Sequence, residues 1–383
     1  MLTSGINFKN FKIKKKLSTV KTNLTLILKK KDEVINSLSQ DYKNSFNKIF
    51  LHKNKKSSNY RIIGMGGSTL GAQAIYDFLN HKIKKKFKFS HNLQANLSSD
   101  KKKFTNLIIS KSGNTIETIV NTNILIKKKD KNIFITENKN SYLYNLAKKL
   151  KSDIVHHNNY IGGRYSVLSE VGMLPAELMG LKSNNFRQLN NLIKNKFFFN
   201  SLISNVSSTL YFIKKKKFNS IIINYDERSE NLFNWYRQLV AESLGKKNKG
   251  LLPIVSNMPK DNHSVMQLYL DGFKNNFFTF FFVNQQKSKK INNNKILSSQ
   301  NYLKDKDLSQ IIFAQKKATE NVFKKKNIPF RSFEILKRDE KTLGELFCFF
   351  ILETILIGKS MKLNPFDQPA VELIKKETKN LLV

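Results

Sequence analysis

A single cysteine, Cys348, in a chain of 383 residues excludes an intramolecular disulfide framework and a cysteine-built metal site. It lies in the apolar run 346–352, where a thiol behaves as a small hydrophobe. Arginine is also scarce. Of 68 basic residues only seven are Arg (Arg61, Arg164, Arg187, Arg228, Arg237, Arg331 and Arg338), which leaves 61 Lys. A planar guanidinium reads phosphate in bidentate fashion, whereas lysine is a hydrated point charge. The formal charge of +40 and the isoelectric point near 10.0 therefore do not by themselves point to nucleic acid or an anionic membrane as a partner. The lysines recur in short runs, at residues 14–16, 84–86, 127–129, 214–217 and 324–326, and build no single dense arm. With the accompanying excess of Asn, Ile and Phe they read as the bias of an AT-rich coding sequence, expressed as a solvated face wherever the fold is indifferent.

Other absences narrow the class further. The longest apolar stretch, residues 347–357, contains Glu353 and is too short to span a bilayer. Lysines break every apolar stretch near the first residue before a signal-peptide core can form. The expectation is a soluble cytoplasmic protein with neither membrane nor nucleic acid as a partner. No segment matches a P-loop or the spacing of a dinucleotide fingerprint, and no His/Asp/Glu cluster has metal-ligand spacing, so neither cofactor nor metal is expected.

What is present is a globular composition, 40% hydrophobic and 11% aromatic, long enough for two domains with a core each. Residues 1–55 have no Pro and no Gly after Gly5, and alternate apolar with basic positions, which predicts an N-terminal helical segment. From Arg61 the texture changes to strand, loop and helix in repetition: strands at 61–65, 105–109 and 132–136, helices at 69–79 and 116–128. After a helical stretch over 167–216 the alternation resumes, with strands at 218–223, 277–283 and 331–336 and helices at 230–244 and 308–325. Residues 285–301 read as a polar loop. Continuous apolar strands alternating with helices predict parallel sheets covered on both faces. The expected fold is α/β, two doubly wound parallel-sheet domains in tandem with peripheral helices. The expected divisions are 1–55, 56–205 and 206–383, the last ending in a C-terminal helix.

Parallel sheets bind ligands beyond the carboxyl ends of their strands. Two segments of the first domain are placed there. Gly64-Met65-Gly66-Gly67-Ser68 allows close backbone approach. Ser110-Lys111-Ser112-Gly113-Asn114-Thr115 offers hydroxyls, a cation and backbone N–H donors, a set that suits a phosphomonoester. By itself the second segment fits an N-cap cluster on a surface helix equally well, and the glycines fit plain turn punctuation.

Four segments taken in order decide more. Gly66-Gly67-Ser68-Thr69-Leu70-Gly71, Ser110-Lys111-Ser112-Gly113-Asn114-Thr115-Ile116-Glu117-Thr118, Gly162-Gly163-Arg164-Tyr165-Ser166-Val167 and Asn364-Pro365-Phe366-Asp367-Gln368-Pro369-Ala370-Val371-Glu372 together resemble the signature segments of the phosphoglucose isomerase family. The resemblance runs from about residue 60 to the C-terminus and is shared in part with the wider sugar isomerase (SIS) domain superfamily. It implies two SIS-type domains, a homodimer, and interconversion of glucose 6-phosphate and fructose 6-phosphate through an enediol intermediate. The alternatives are a dual glucose/mannose phosphate isomerase and a non-catalytic phosphosugar-binding SIS protein. By the same resemblance Ser110, Lys111, Ser112 and Thr115 hold the phosphate, and Gly67, Ser68 and Gly163 border the sugar. Glu242 is the catalytic base, Arg164 stabilises charge on the reacting oxygens, His263 opens the ring from the partner's side, and Gln368 and Lys375 form a C-terminal pair. The reaction asks for these types: a carboxylate over one face of the enediol, a cation for its oxygen, and an acid and a base for ring opening. Gln368 and Lys375, seven apart, are expected on one face of a helix opened by Asn364-Pro365.

Overall fold

The computed structural model describes residues 1–13, 17–97, 102–127, 130–284 and 288–383. The lysine run 14–16, parts of the run 127–129 and the start of the 285–301 loop lie outside them. Among the described residues ten strands form two five-stranded sheets. The first contains β2 (Asn59–Gly64), β3 (Lys86–Ser90), β4 (Thr105–Ile109), β5 (Lys131–Thr136) and β6 (Asp153–His156), in the order β3-β2-β4-β5-β6 and parallel throughout. The second contains β7 (Asn219–Asn224), β8 (Leu252–Asn257), β9 (Asn276–Val283) and β10 (Phe330–Ile335), with β1 (Ile6–Lys9) at its edge, in the order β1-β10-β9-β7-β8. Every residue of β4 and of β9 is buried, as expected of strands covered on both faces.

The parallel strands of both sheets are wound the same way. The second strand of each set lies on one side of the first, and the later strands lie on the other, which is the doubly wound arrangement. It creates a switch point between β2 and β4 in the first sheet.

Two expectations change. The N-terminal segment is not wholly helical, because β1 pairs antiparallel with β10 and makes the second sheet mixed; helices Ser18–Lys30, Glu33–Ser37 and Lys48–Asn54 follow it. The described part of the 285–301 loop contains short 3₁₀ turns, at Asn293–Lys295 and from Ser298 on.

The helix Glu340–Ser360 is buried from Thr342 to Gly358 and packs against helices Ser18–Lys30, Lys196–Lys214 and Glu230–Leu244. An element apolar all round belongs in the centre of a large core. It is there that Cys348 is buried, and burial pushes its thiol up to about 12. The helix Lys196–Lys214 runs across position 205, and its Asn205 joins the buried ion pair of Arg331 on β10 with Glu353.

Candidate active site

The register Gly64↔Ile109 puts the ends of β2 and β4 side by side, so residues 66–68 and 110–115 leave the sheet together at the switch point. Residues 110–115 form a compact turn leading into the helix Ile116–Leu125, whose first-turn N–H groups lie at the same end. Ser110 is buried, with its hydroxyl 2.9 Å from that of Thr115. Ser112 Oγ accepts from the Asn114 N–H at 3.3 Å. Lys111 donates to the Asn159 carbonyl at 2.8 Å and stands 3.6 Å from Glu137. Gly113 has φ +67°, and a Cβ there would meet Ser141 Oγ at 2.1 Å, so both backbone and space demand glycine.

The second turn touches the rest of the site directly. A Cβ on Gly67 would stand 2.2 Å from the Gly163 carbonyl and 2.6 Å from the Arg164 nitrogen. This is backbone against backbone, so no side chain can yield. Gly67→Ala is expected to push residues 163–164 away, at about 1–3 kcal/mol of stability. Activity is expected to fall about 100-fold as Arg164 moves; thermal unfolding and steady-state kinetics check both.

Arg164 is 2% exposed. Its Nε donates to Ser243 Oγ at 2.8 Å, Nη1 to Glu242 at 3.3 Å and Gln368 Oε1 at 2.5 Å, and Nη2 to the carbonyls of Pro365 at 2.7 Å and Asp367 at 3.1 Å. A guanidinium has five N–H groups, and all five are engaged. Tyr165 donates to the Pro365 carbonyl at 3.0 Å and lies 2.8 Å from Ser243 Oγ, and burial pushes its hydroxyl up to about 12, so it stays a donor. Glu242, in the last turn of Glu230–Leu244, also accepts from Gln238 one turn back at 2.8 Å. A half-buried carboxylate beside a fixed cation can take a proton from carbon while the cation holds the oxygen that becomes charged.

Residues 50–382 match the family described as phosphoglucose isomerase. The chain is 32% identical to the glucose-6-phosphate isomerase of Methanocaldococcus jannaschii over 85% of both chains. It is also 32% identical to that of Mycoplasmopsis pulmonis, over 82% of this chain and 80% of the other. The chain belongs to the phosphoglucose isomerase family. In fold it is similar to a hypothetical protein from Thermus thermophilus, with a TM-score of 0.82 at 21% identity, covering 95% of this chain and 94% of that one. It is similar too to a glucose-6-phosphate isomerase from Chlamydia trachomatis, with a TM-score of 0.67 at 18% identity, covering 97% and 81%.

Of the family's expected site residues, the structure joins Arg164, Glu242 and Gln368 by hydrogen bonds, with Gly67 packed on Gly163 beside them. Ser110, Lys111, Ser112 and Thr115 form a neighbouring group; among the described residues no hydrogen bond links it to Arg164 or Glu242. Ser68 is half-buried in the turn between the two groups. Two residues stand apart. His263 ends a short 3₁₀ turn beyond β8 and is exposed. Lys375 is exposed on the helix Pro369–Leu381, where its partner at 2.7 Å is Glu372.

The shared helical face expected for Gln368 and Lys375 is not formed. The helix begins at Pro369, and Gln368 precedes it with φ −150° and ψ 68°. Proline disfavours helical geometry in the residue before it, which frees Gln368 to turn toward Arg164. Gln238, Ser243 and Tyr165 escaped the sequence reading, although each carries a local signal: Gln238 is four before Glu242 on one helix, and the other two adjoin Glu242 and Arg164.

Proposed function

We infer that this protein is an aldose-ketose isomerase that interconverts glucose 6-phosphate and fructose 6-phosphate through an enediol intermediate, in glycolysis and gluconeogenesis. The observation that carries this is the 3.3 Å pairing of Glu242 with a buried, permanently charged Arg164, beside the Gly67–Gly163 contact at the switch point of a phosphate-suited sheet. The curated relatives are named as isomerases, which favours turnover over phosphosugar binding alone.

In this mechanism Ser110, Lys111, Ser112 and Thr115 take the phosphate, with the N-terminus of Ile116–Leu125 adding N–H donors. The sugar lies over the 66–68 turn. Its reacting oxygen reaches Arg164 by replacing Gln368 on Nη1, the guanidinium having no unengaged N–H. Glu242 then carries the proton between C1 and C2 on one face. Ring opening falls to His263 of a second copy and to Lys375. The exposure of His263 suits a group offered to another subunit, while the role of Lys375 rests on the family motif. The protein is thus proposed to be a cytoplasmic homodimer.

The test is a coupled assay with purified protein on fructose 6-phosphate, with mannose 6-phosphate in parallel to read discrimination at C2. Fructose 6-phosphate should turn over without added metal and survive EDTA, because Arg164 already supplies the cation where enediolate charge develops. Complete, metal-restorable inactivation would sink the mechanism.

A further inference from the structure

Beyond the catalytic groups, two lysines that no motif singled out grip the segment leading to Gln368. The helix bearing Glu242 ends at Leu244, and residues 246–249 form a tight turn closed by Lys246 N–H to Lys249 O at 3.0 Å and the reverse bond at 2.9 Å. Its two central residues, Lys247 and Asn248, have φ of 52° and 58°. The side chains of the two closing residues reach back to the C-terminal part of the chain. Lys249 donates to the Met361 carbonyl at 3.2 Å, and Lys246, with a side chain 11% exposed, donates to the Asn364 carbonyl and to Asp367 Oδ1 at 2.7 Å. The other carboxylate oxygen of Asp367 accepts from Asn364 Nδ2 at 2.9 Å, and Asn364 Oδ1 accepts from the Phe366 N–H at 3.1 Å. Residues 364–367 are therefore a closed loop held at one point by an ammonium.

That loop and the residue after it supply Arg164 with three of its five acceptors, the carbonyls of Pro365 and Asp367 and the amide of Gln368. The remaining two, Glu242 and Ser243, are on the helix that leads into Lys246. Arg164 thus bridges two elements whose separation is set on the far side by Lys246 and Asp367. The hydrogen bond from Lys246 holds the Asp367 carboxyl below the usual carboxylate range.

We propose that Lys246 is a positioning residue for the isomerase reaction: through Asp367 it fixes the loop that orients the Arg164 guanidinium and Gln368 against Glu242. It touches neither the phosphate-binding turn nor the carbon-bound proton. Its effect should therefore appear in the chemical step, not in substrate capture. The proposal rests on Glu242 and Arg164 being the base and the charge-stabilising group.

The experiment compares Lys246→Met, Asp367→Asn, the double variant, and the exchanged pair Lys246→Asp with Asp367→Lys. The readouts are steady-state kinetics on fructose 6-phosphate, calorimetric binding of 6-phosphogluconate, and thermal unfolding. The expected result for Lys246→Met is a fall in kcat of about 10- to 100-fold, with KM and 6-phosphogluconate affinity within about threefold of the starting protein. The double variant should be no worse than the poorer single one, and the exchanged pair should recover part of the lost kcat. The proposal is overturned if Lys246→Met keeps kcat within about twofold, if the two single losses multiply, or if affinity and melting temperature collapse together with kcat, as a purely structural tie would produce. Failure of the underlying assignment is separable. A Glu242→Gln enzyme that still turns over removes the base and this proposal together, whereas an inactive Glu242→Gln beside a fully active Lys246→Met removes only the proposal.

Discussion

Glu242→Gln is expected to abolish isomerisation while leaving sugar-phosphate binding within a few-fold of its starting value. The carboxylate is held from two sides, by Gln238 at 2.8 Å and Arg164 at 3.3 Å. The glutamine amide keeps the shape and one acceptor, but it has no basic oxygen to receive a proton from carbon. A general base contributes on the order of 10² to 10⁴ in rate, and among the described residues no other carboxylate bonds Arg164, so the loss should reach the upper part of that range. Binding should survive because the groups assigned to the phosphate are on another segment, residues 110–115, unconnected to Glu242 by any hydrogen bond among the described residues. Solvent-deuterium incorporation at C1 or C2, with calorimetric binding of 6-phosphogluconate, checks both halves. Proton exchange at near the original rate would place the base elsewhere. Loss of binding would instead break the proposed division between the phosphate turn and the Glu242 helix.

A result of comparable size is expected from mixing two inactive proteins. If each site combines Glu242 of one copy with His263 of the other, Glu242→Gln and His263→Ala enzymes are each inactive as homodimers. Their heterodimer contains one site that lacks both groups and one that has both. Co-expression of differently tagged chains, followed by tandem purification of the mixed dimer, should restore about half of the original activity per dimer. The basis is the exposure of His263 beyond β8 and the absence, among the described residues, of any bond from it to Arg164, Glu242 or Gln368. No restoration in a confirmed heterodimer, or full turnover by a monomer in light scattering, would return His263 to its own chain's site or remove it from the reaction.

How much of this was legible in the sequence depends on where each element sits. The strands read correctly as apolar runs, β2, β4, β5, β7, β9 and β10, are flanked by a strand on each side. The four that escaped, β1, β3, β6 and β8, are the edges of the two sheets. An edge strand pairs on one side only and tolerates charge, as in Lys86-Phe87-Lys88-Phe89-Ser90, so its apolar content is too thin to announce it. The neighbouring strand settles its conformation. This is how residues 6–9, within a stretch of helical texture, become a strand against β10.

The same division holds at the site. Short segments of sequence determined the chemistry available: a glycine turn, a hydroxyl-rich turn, an arginine after paired glycines, a carboxylate near a helix end and a C-terminal motif. Each is a local pattern that is ambiguous in isolation and gains its meaning from the order of the set. Only the tertiary structure decided which of them meet. Arg164 reaches Glu242 across 78 positions and Gln368 across 204, and the Lys246 to Asp367 tie spans 121. It also decided that Gln368 turns back from the helix it precedes, and that Lys246 is drawn onto Asp367 while its neighbour Lys247 faces solvent. Periodicity and propensity act over a few residues. Contacts between distant segments follow from the order in which two wound sheets stack, and in a chain with 61 lysines nothing local distinguishes Lys246, tied to Asp367, from Lys247 beside it.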